Sequence, residues 1–155
     1  MTTVEAPERG LDLRQDAETH KRTRIVLVDD NPMILETTAQ ILKNSYVIAG
    51  TFLDGESALE EWTNLCPDVL VLDISMGGLS GLEVAENLQT LGSRVKIVFL
   101  TVYEDSEFVT SAFAAGACGY VFKSRIATDL IPAIDKARMG DMFVSPGRAR
   151  AASLT

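Results

Sequence analysis

Histidine is nearly missing from this chain. His20 is the only one in 155 residues, and it lies in a polar leader. One histidine cannot build a His-rich metal site, and none follows Gly78-Leu79-Ser80-Gly81 to complete a catalytic triad. That tetrapeptide also fails to match the G-x-S-x-G nucleophile elbow. Cysteine is scarce as well. Cys66 and Cys118 lie far apart and fit no zinc spacing, so they read as reduced thiols of a cytoplasmic protein. Positive charge is in deficit: 14 Lys and Arg stand against 22 Asp and Glu, a net charge of −8. Phosphate affinity comes from clustered cations, so this chain is not expected to bind nucleic acid directly. No apolar run approaches the roughly 18–20 residues that span a bilayer, and the leader has no apolar h-region, so no membrane association is expected. Phosphate-cradling glycine motifs are missing too. The first apolar run is followed by Asp29-Asp30-Asn31-Pro32, which is neither G-x-G-x-x-G nor a P-loop. Acids there would repel a pyrophosphate.

What is present is a regular alternation. Ile25–Val28 is a short β-branched run, and Pro32–Leu42 carries apolar residues at helical spacing. Tyr46–Gly50 reads as a weaker strand. Asp54-Gly55-Glu56-Ser57 opens a helix through Leu59, Trp62 and Leu65, stopped by Cys66-Pro67. Strands follow at Val69–Leu72, Val95–Leu100 and Gly119–Phe122. Helices follow at Leu82–Leu88, Ser106–Ala115 and Thr128–Met139. Five β-then-α units predict an α/β fold with a parallel sheet covered by helices on both faces. At 155 residues one domain with one core is expected. The predicted organisation is a leader over 1–23, a folded body over 24–140 and a tail over 141–155.

Chemistry collects at the carboxyl ends of these strands. Asp29 and Asp30 close the first, Asp73 the third, Thr101 the fourth and Lys123 the fifth. In an open parallel sheet those ends share one crevice, where such folds bind ligands. Three acids, a hydroxyl and an amine there make a site for a divalent cation and a phosphoryl group. Taken singly, each residue has a plainer explanation. Asp30 could cap the following helix, Thr101 could be an ordinary strand-end threonine, Lys123 a snorkelling surface lysine, and Tyr120 a half-buried core aromatic.

Taken together, the residues resemble the receiver domain of two-component response regulators. Val26-Leu27-Val28-Asp29-Asp30-Asn31 looks like its first strand and acidic pair. Asp68–Met76 looks like its third strand with the phosphoacceptor. Ile97–Thr101 resembles its hydroxyl-bearing fourth strand, and Gly116–Lys123 the segment with the switch aromatic and the lysine. The resemblance covers about residues 24–140, and all four motifs fall in order. It implies a doubly wound five-stranded parallel sheet in the flavodoxin-like order 2-1-3-4-5. It also implies that Asp73 accepts a phosphoryl group from a histidine kinase or histidine phosphotransfer protein, with Mg²⁺ or Mn²⁺. Asp30, Asp73 and the Ser75 carbonyl would bind the metal, and Asp29 would hold a metal-bound water. Lys123 would pair with Asp73 and then with the phosphoryl group, Thr101 would donate its hydroxyl, and Thr101 and Tyr120 would form the switch. Beyond its own phosphorylation and slow dephosphorylation, no enzymatic activity is implied.

Several positions depart from the family pattern. Gly77 stands where proline is usual, and Gly77-Gly78 predicts a more flexible loop. Ser124 follows the lysine where a cis-proline is often found. A cis bond to a non-proline costs about 3–4 kcal/mol, so a trans bond is expected. Val102 would narrow access to the phosphoryl group. Ser75 and Tyr103 occupy positions that tune dephosphorylation and offer no acid or amide, which favours a long-lived phosphoform. The details of the chain look most like receivers joined to a helix-turn-helix domain, which would begin soon after Pro146. The sequence ends at Thr155. The favoured expectation is therefore a receiver acting through a downstream protein or self-association. The alternative is the receiver half of a DNA-binding regulator. A haloacid-dehalogenase-like phosphatase is disfavoured: Asn31 and Ser75 stand where its second aspartate would be.

Overall fold

A computed structural model describes residues 23–147, and expectations for residues 1–22 and 148–155 lie outside the described residues. In chain order the elements are β1 (Arg24–Val28), α1 (Pro32–Leu42), β2 (Val47–Phe52), α2 (Gly55–Glu60), α3 (Trp62–Leu65) and β3 (Val69–Leu72). Then come α4 (Gly81–Thr90), β4 (Lys96–Thr101), α5 (Ser106–Ala114), β5 (Gly119–Phe122), a 3₁₀ turn (Lys123–Arg125), α6 (Ile126–Arg138) and β6 (Phe143–Val144). All strand pairs are parallel, in the order β2-β1-β3-β4-β5-β6.

The sheet therefore has six strands, not the expected five. The sixth comes from residues assigned to the tail. Phe143 pairs with Gly119 and Val144 with Tyr120. Phe143 N–H donates to the Cys118 carbonyl at 3.1 Å, and Ser145 N–H to the Tyr120 carbonyl at 2.9 Å. The cause is the β5 edge. Without a neighbour, those two buried-side carbonyls would lack donors.

Alternation along the strands divides the interior in two. Val26, Val28, Leu70, Leu72, Ile97, Phe99, Tyr120 and Phe122 face α2, α4 and α5. Ile25, Leu27, Val69, Val71, Val98, Leu100 and Val121 face α1 and α6. Strands β1, β3, β4 and β5 are thus buried on both faces, which is why they read as continuous apolar runs.

Local signals set the helix ends. Asn31, not Asp30, caps α1, its Oδ1 accepting from Met33 N–H at 2.9 Å. Asp54 caps α2 through Ser57 N–H at 2.7 Å. The helix predicted over 54–65 is interrupted at Glu61, and Cys66 ends α3 in the left-handed region (φ 46°) just before Pro67. Ser80 and Glu83 form a capping box at the start of α4.

Candidate functional site

The strand ends converge as the topology requires. Asp29 and Asp73 are 3% and 5% exposed, while Asp30 is open to solvent. One carboxylate oxygen from each of the three lies within 4.8 Å of the others. Lys123 Nζ sits between the two buried acids, 2.8 Å from Asp29 Oδ2 and 3.3 Å from Asp73 Oδ2. The lysine was expected to pair with Asp73. It contacts Asp29 more closely, because two adjacent buried carboxylates both need a cation.

The acids have different roles in the backbone. Asp29 Oδ1 accepts from Asn31 N–H at 2.9 Å, and Asp73 Oδ1 from Ile74 N–H at 2.8 Å. Asp29 Oδ2 is buried and makes no hydrogen bond of good geometry; its near neighbour is the Lys123 ammonium. Burial raises the Asp73 carboxyl above its usual range, and the charge of Asp29 adds to this; Lys123 and Ile74 N–H work against it. Burial pulls the Lys123 ammonium down, but Asp29 and Asp73 outweigh that and leave it raised.

Thr101 is fully buried beside Phe122 in the sheet register, and its Oγ1 accepts from Tyr103 N–H at 3.3 Å. Tyr120, the expected switch aromatic, is wholly buried, where the plainer reading had it half-buried. Its hydroxyl donates to the Tyr103 carbonyl at 2.7 Å, and its ring meets Phe122 edge-on at 5.9 Å. Tyr103 stacks on Phe108 at 4.3 Å. Val102 is 63% exposed, and Ser75 is also exposed.

The loop after Asp73 is tied down beyond its two glycines. Gly81 N–H donates to the Ile74 carbonyl at 2.7 Å, and Leu79 N–H to Glu56 Oε2 at 3.1 Å. Gly78 takes φ 78° against the Glu56 carboxylate. A Cβ on Gly81 would lie 1.9 Å from the Asp73 carbonyl oxygen. Sequence reasoning missed Gly81 and Glu56. The available signal was a glycine directly after the Ser80 cap, where a helix start needs none. The bond after Lys123 is trans, since no cis peptide occurs among the described residues.

Volume does not mark this site. A depression of about 690 Å³, lined by Trp62, Asp68, Arg94 and Lys96 among others, lies at the opposite, amino end of the strands. It brings together no acid cluster with a lysine.

Residues 25–135 match the response regulator receiver domain family. The chain belongs to this family and is a receiver domain of a two-component response regulator. Over 123 residues it is 32% identical to the nitrate/nitrite response regulator protein NarL of Escherichia coli, covering 78% of this chain and 57% of that protein. It is 35% identical over 125 residues to the transcriptional regulatory protein YvfU of Bacillus subtilis, covering 79% and 62%. The chain thus spans somewhat over half the length of these relatives. A solved two-component response regulator of the LuxR family from Aurantimonas superposes with a TM-score of 0.79 at 29% identity, over 86% of this chain and 99% of that one. The signal receiver domain of the response regulator NarL from Mycobacterium tuberculosis gives 0.72 at 27%, over 77% and 98%. Receiver domains of this family bind Mg²⁺ at an aspartate cluster, and Asp29, Asp30 and Asp73 form such a cluster here. No helix among the described residues is long and apolar enough to cross a membrane.

Proposed function

We propose that this receiver takes a phosphoryl group from a phosphohistidine onto Asp73 and uses it to switch protein–protein contacts. The observation that carries this reading is the shared ammonium: Lys123 bridges Asp29 and Asp73 at the strand ends, with Asp30 open beside them. In the transfer, an Asp73 oxygen forms a P–O bond as the P–N bond of the phosphoimidazole breaks. The histidine nitrogen leaves with the bonding pair. The donor is a histidine kinase or a histidine phosphotransfer protein.

The donor set fits a hard divalent cation. It offers three carboxylates within 4.8 Å of one another with a single ammonium between the two buried ones, and one acid, Asp30, that is exposed and not used as a helix cap. Asp29, Asp30, Asp73 and the Ser75 carbonyl would hold Mg²⁺ or Mn²⁺. Bound there, the ion offsets the repulsion between the carboxylate nucleophile and the phosphoryl oxygens. Lys123 supplies a compact positive charge to the transferred group. Accepting from Tyr103 N–H leaves the Thr101 hydroxyl hydrogen for a phosphoryl oxygen. Drawing Thr101 forward would disturb Tyr103 and hence the Tyr120 hydrogen bond. The signal would then emerge on the face built from α5, β5 and α6. Ser75, Val102 and Tyr103 set phosphoform lifetime, and the lack of an acid or amide at 75 and 103 favours slow hydrolysis.

The test is labelling with acetyl phosphate and Mg²⁺, read by mass spectrometry. One phosphoryl group per chain is expected, lost in Asp73→Asn and with chelator. Robust labelling of Asp73→Asn would sink the assignment. A second reading is a receiver that governs a DNA-binding segment. It is favoured by the LuxR-family likeness and by the partial coverage of the relatives. A beryllofluoride mimic that changes self-association or a protein partner's affinity favours the first reading. A mimic effect seen only in a longer product of the same gene favours the second.

A further inference from the structure

The lysine of this site is followed by Ser124 in a trans bond, and its backbone is tied down from the other side of β5. Phe122 N–H, one residue before Lys123, donates to Ser145 Oγ at 3.2 Å. Ser145 Oγ in turn donates to Asp129 Oδ2 at 2.7 Å. Asp129 also accepts from Arg125 Nε at 2.7 Å and from Thr128 Oγ1 at 3.1 Å. Arg125 lies two residues after Lys123 in the same 3₁₀ turn. The turn is therefore gripped before and after the lysine by one carboxylate and one hydroxyl.

The grip is buried where it matters. Ser145 is fully buried and Asp129 is 6% exposed. Burial pushes the Asp129 carboxyl up, but hydrogen bonds from Arg125, Ser145 and Thr128 outweigh this and leave it below the usual range. It is thus a charged acceptor at neutral pH, and hydrogen bonds to charged groups are the stronger kind. Gly147 closes the arrangement: a Cβ there would lie 2.7 Å from the Phe122 ring, so the chain runs against that ring.

We infer that Ser145 and Asp129 are positioning residues for Lys123, holding its ammonium at the height of Asp29 and Asp73. Neither touches the reacting atoms. Their effect comes through the Phe122–Arg125 backbone, and a lysine displaced by a fraction of an ångström stabilises the transferring phosphoryl group less well. This rests on the reading of Asp73 as phosphoacceptor.

The test compares the full chain with Ser145→Ala and Arg125→Ala, using acetyl phosphate as donor at saturating Mg²⁺. Ser145→Ala is expected to lower the saturating labelling rate roughly tenfold and Arg125→Ala about threefold. The half-saturating concentrations of donor and of Mg²⁺ should stay at parent values, because the acids are untouched. A parent-like saturating rate for Ser145→Ala overturns the inference. So does a slowing that comes only from a raised half-saturating concentration of donor or Mg²⁺. If Ser145→Ala does not fold, Arg125→Ala decides alone, since that side chain is 42% exposed; a parent-like rate overturns the inference. A parent chain that takes no label overturns the phosphoacceptor reading itself, a result distinct from these.

Discussion

Asp73 carries a cost that its neighbours only partly offset. Its carboxyl is raised in the folded chain by burial and then by Asp29. Between the ordinary carboxylate value and that raised value, the folded state holds more protons than the unfolded one. Stability contributed by this group therefore falls as pH rises through that window. Asp73→Asn removes the buried charge while Asp29 keeps Lys123. Without metal at pH 7, the variant should melt roughly 3–6 °C higher than the parent. The gain should fade as pH falls through the raised folded value and be gone below the ordinary carboxylate value, about 4, where both states of the parent are protonated. Differential scanning calorimetry across pH checks this; an unchanged or lowered melting temperature at pH 7 contradicts it. Asp129 has the opposite sign. Its lowered carboxyl adds stability that is present above the ordinary value and lost as pH falls through the folded one. Gly81 matters for steric reasons. Since a Cβ would lie 1.9 Å from the Asp73 carbonyl oxygen, Gly81→Ala must move that peptide. Labelling should slow by roughly tenfold or more, with a loss of stability of about 2 kcal/mol in urea.

At the scale of elements, legibility followed pattern length. Strands β1, β3 and β4 were readable because burial on both faces leaves uninterrupted apolar runs. The β6 strand was not. Phe143-Val144 is too short to show a period, and Ser145-Pro146 behind it reads as a turn. Ser145 is fully buried and bonded to Asp129. That pairing joins residues 16 apart and leaves no local signature. The α6 helix begins at Ile126, earlier than Thr128, because the 3₁₀ turn from Lys123 runs straight into it. A chain cut after Asp141 should test the worth of β6. It loses the bonds from Phe143 N–H to Cys118, from Ser145 N–H to Tyr120 and from Phe122 N–H to Ser145 Oγ, and leaves Asp129 without its serine. A loss of about 2–4 kcal/mol is expected from equilibrium urea unfolding. A midpoint within error of the parent would show that β6 contributes nothing.

At the scale of the molecule, a parallel sheet puts every strand's carboxyl end on one side. Asp29, Asp30 and Asp73 lie within 4.8 Å of one another there with Lys123 against the two buried acids, and Thr101 closes β4 at the same end. The sequence could not show which acid Lys123 would favour, because that depends on a few tenths of an ångström. The whole fold should feel the cation. If Mg²⁺ is taken by the assembled cluster and not by the unfolded chain, at about 100 times its dissociation constant it should add ~2.7 kcal/mol of stability. Asp30→Ala should abolish that increment while melting near the metal-free parent, because Asp30 is exposed. Melting curves with and without Mg²⁺ decide this; an equal Mg²⁺ increment in Asp30→Ala would remove Asp30 from the ligand set.

The strand order has a consequence for how the chain is made. β1 emerges first from the ribosome, yet it lies inside the sheet between β2 and β3. It cannot be flanked on both sides until Leu72 has been synthesised. At about 5–20 residues per second, its backbone N–H and C=O groups facing the place of β3 stay unpaired for several seconds, beside apolar side chains. Every strand pairing also spans an intervening segment, which slows closure relative to a helical bundle. The nascent segment from Arg24 to Leu72 is therefore the stretch of this protein most exposed to chaperones and to mispairing.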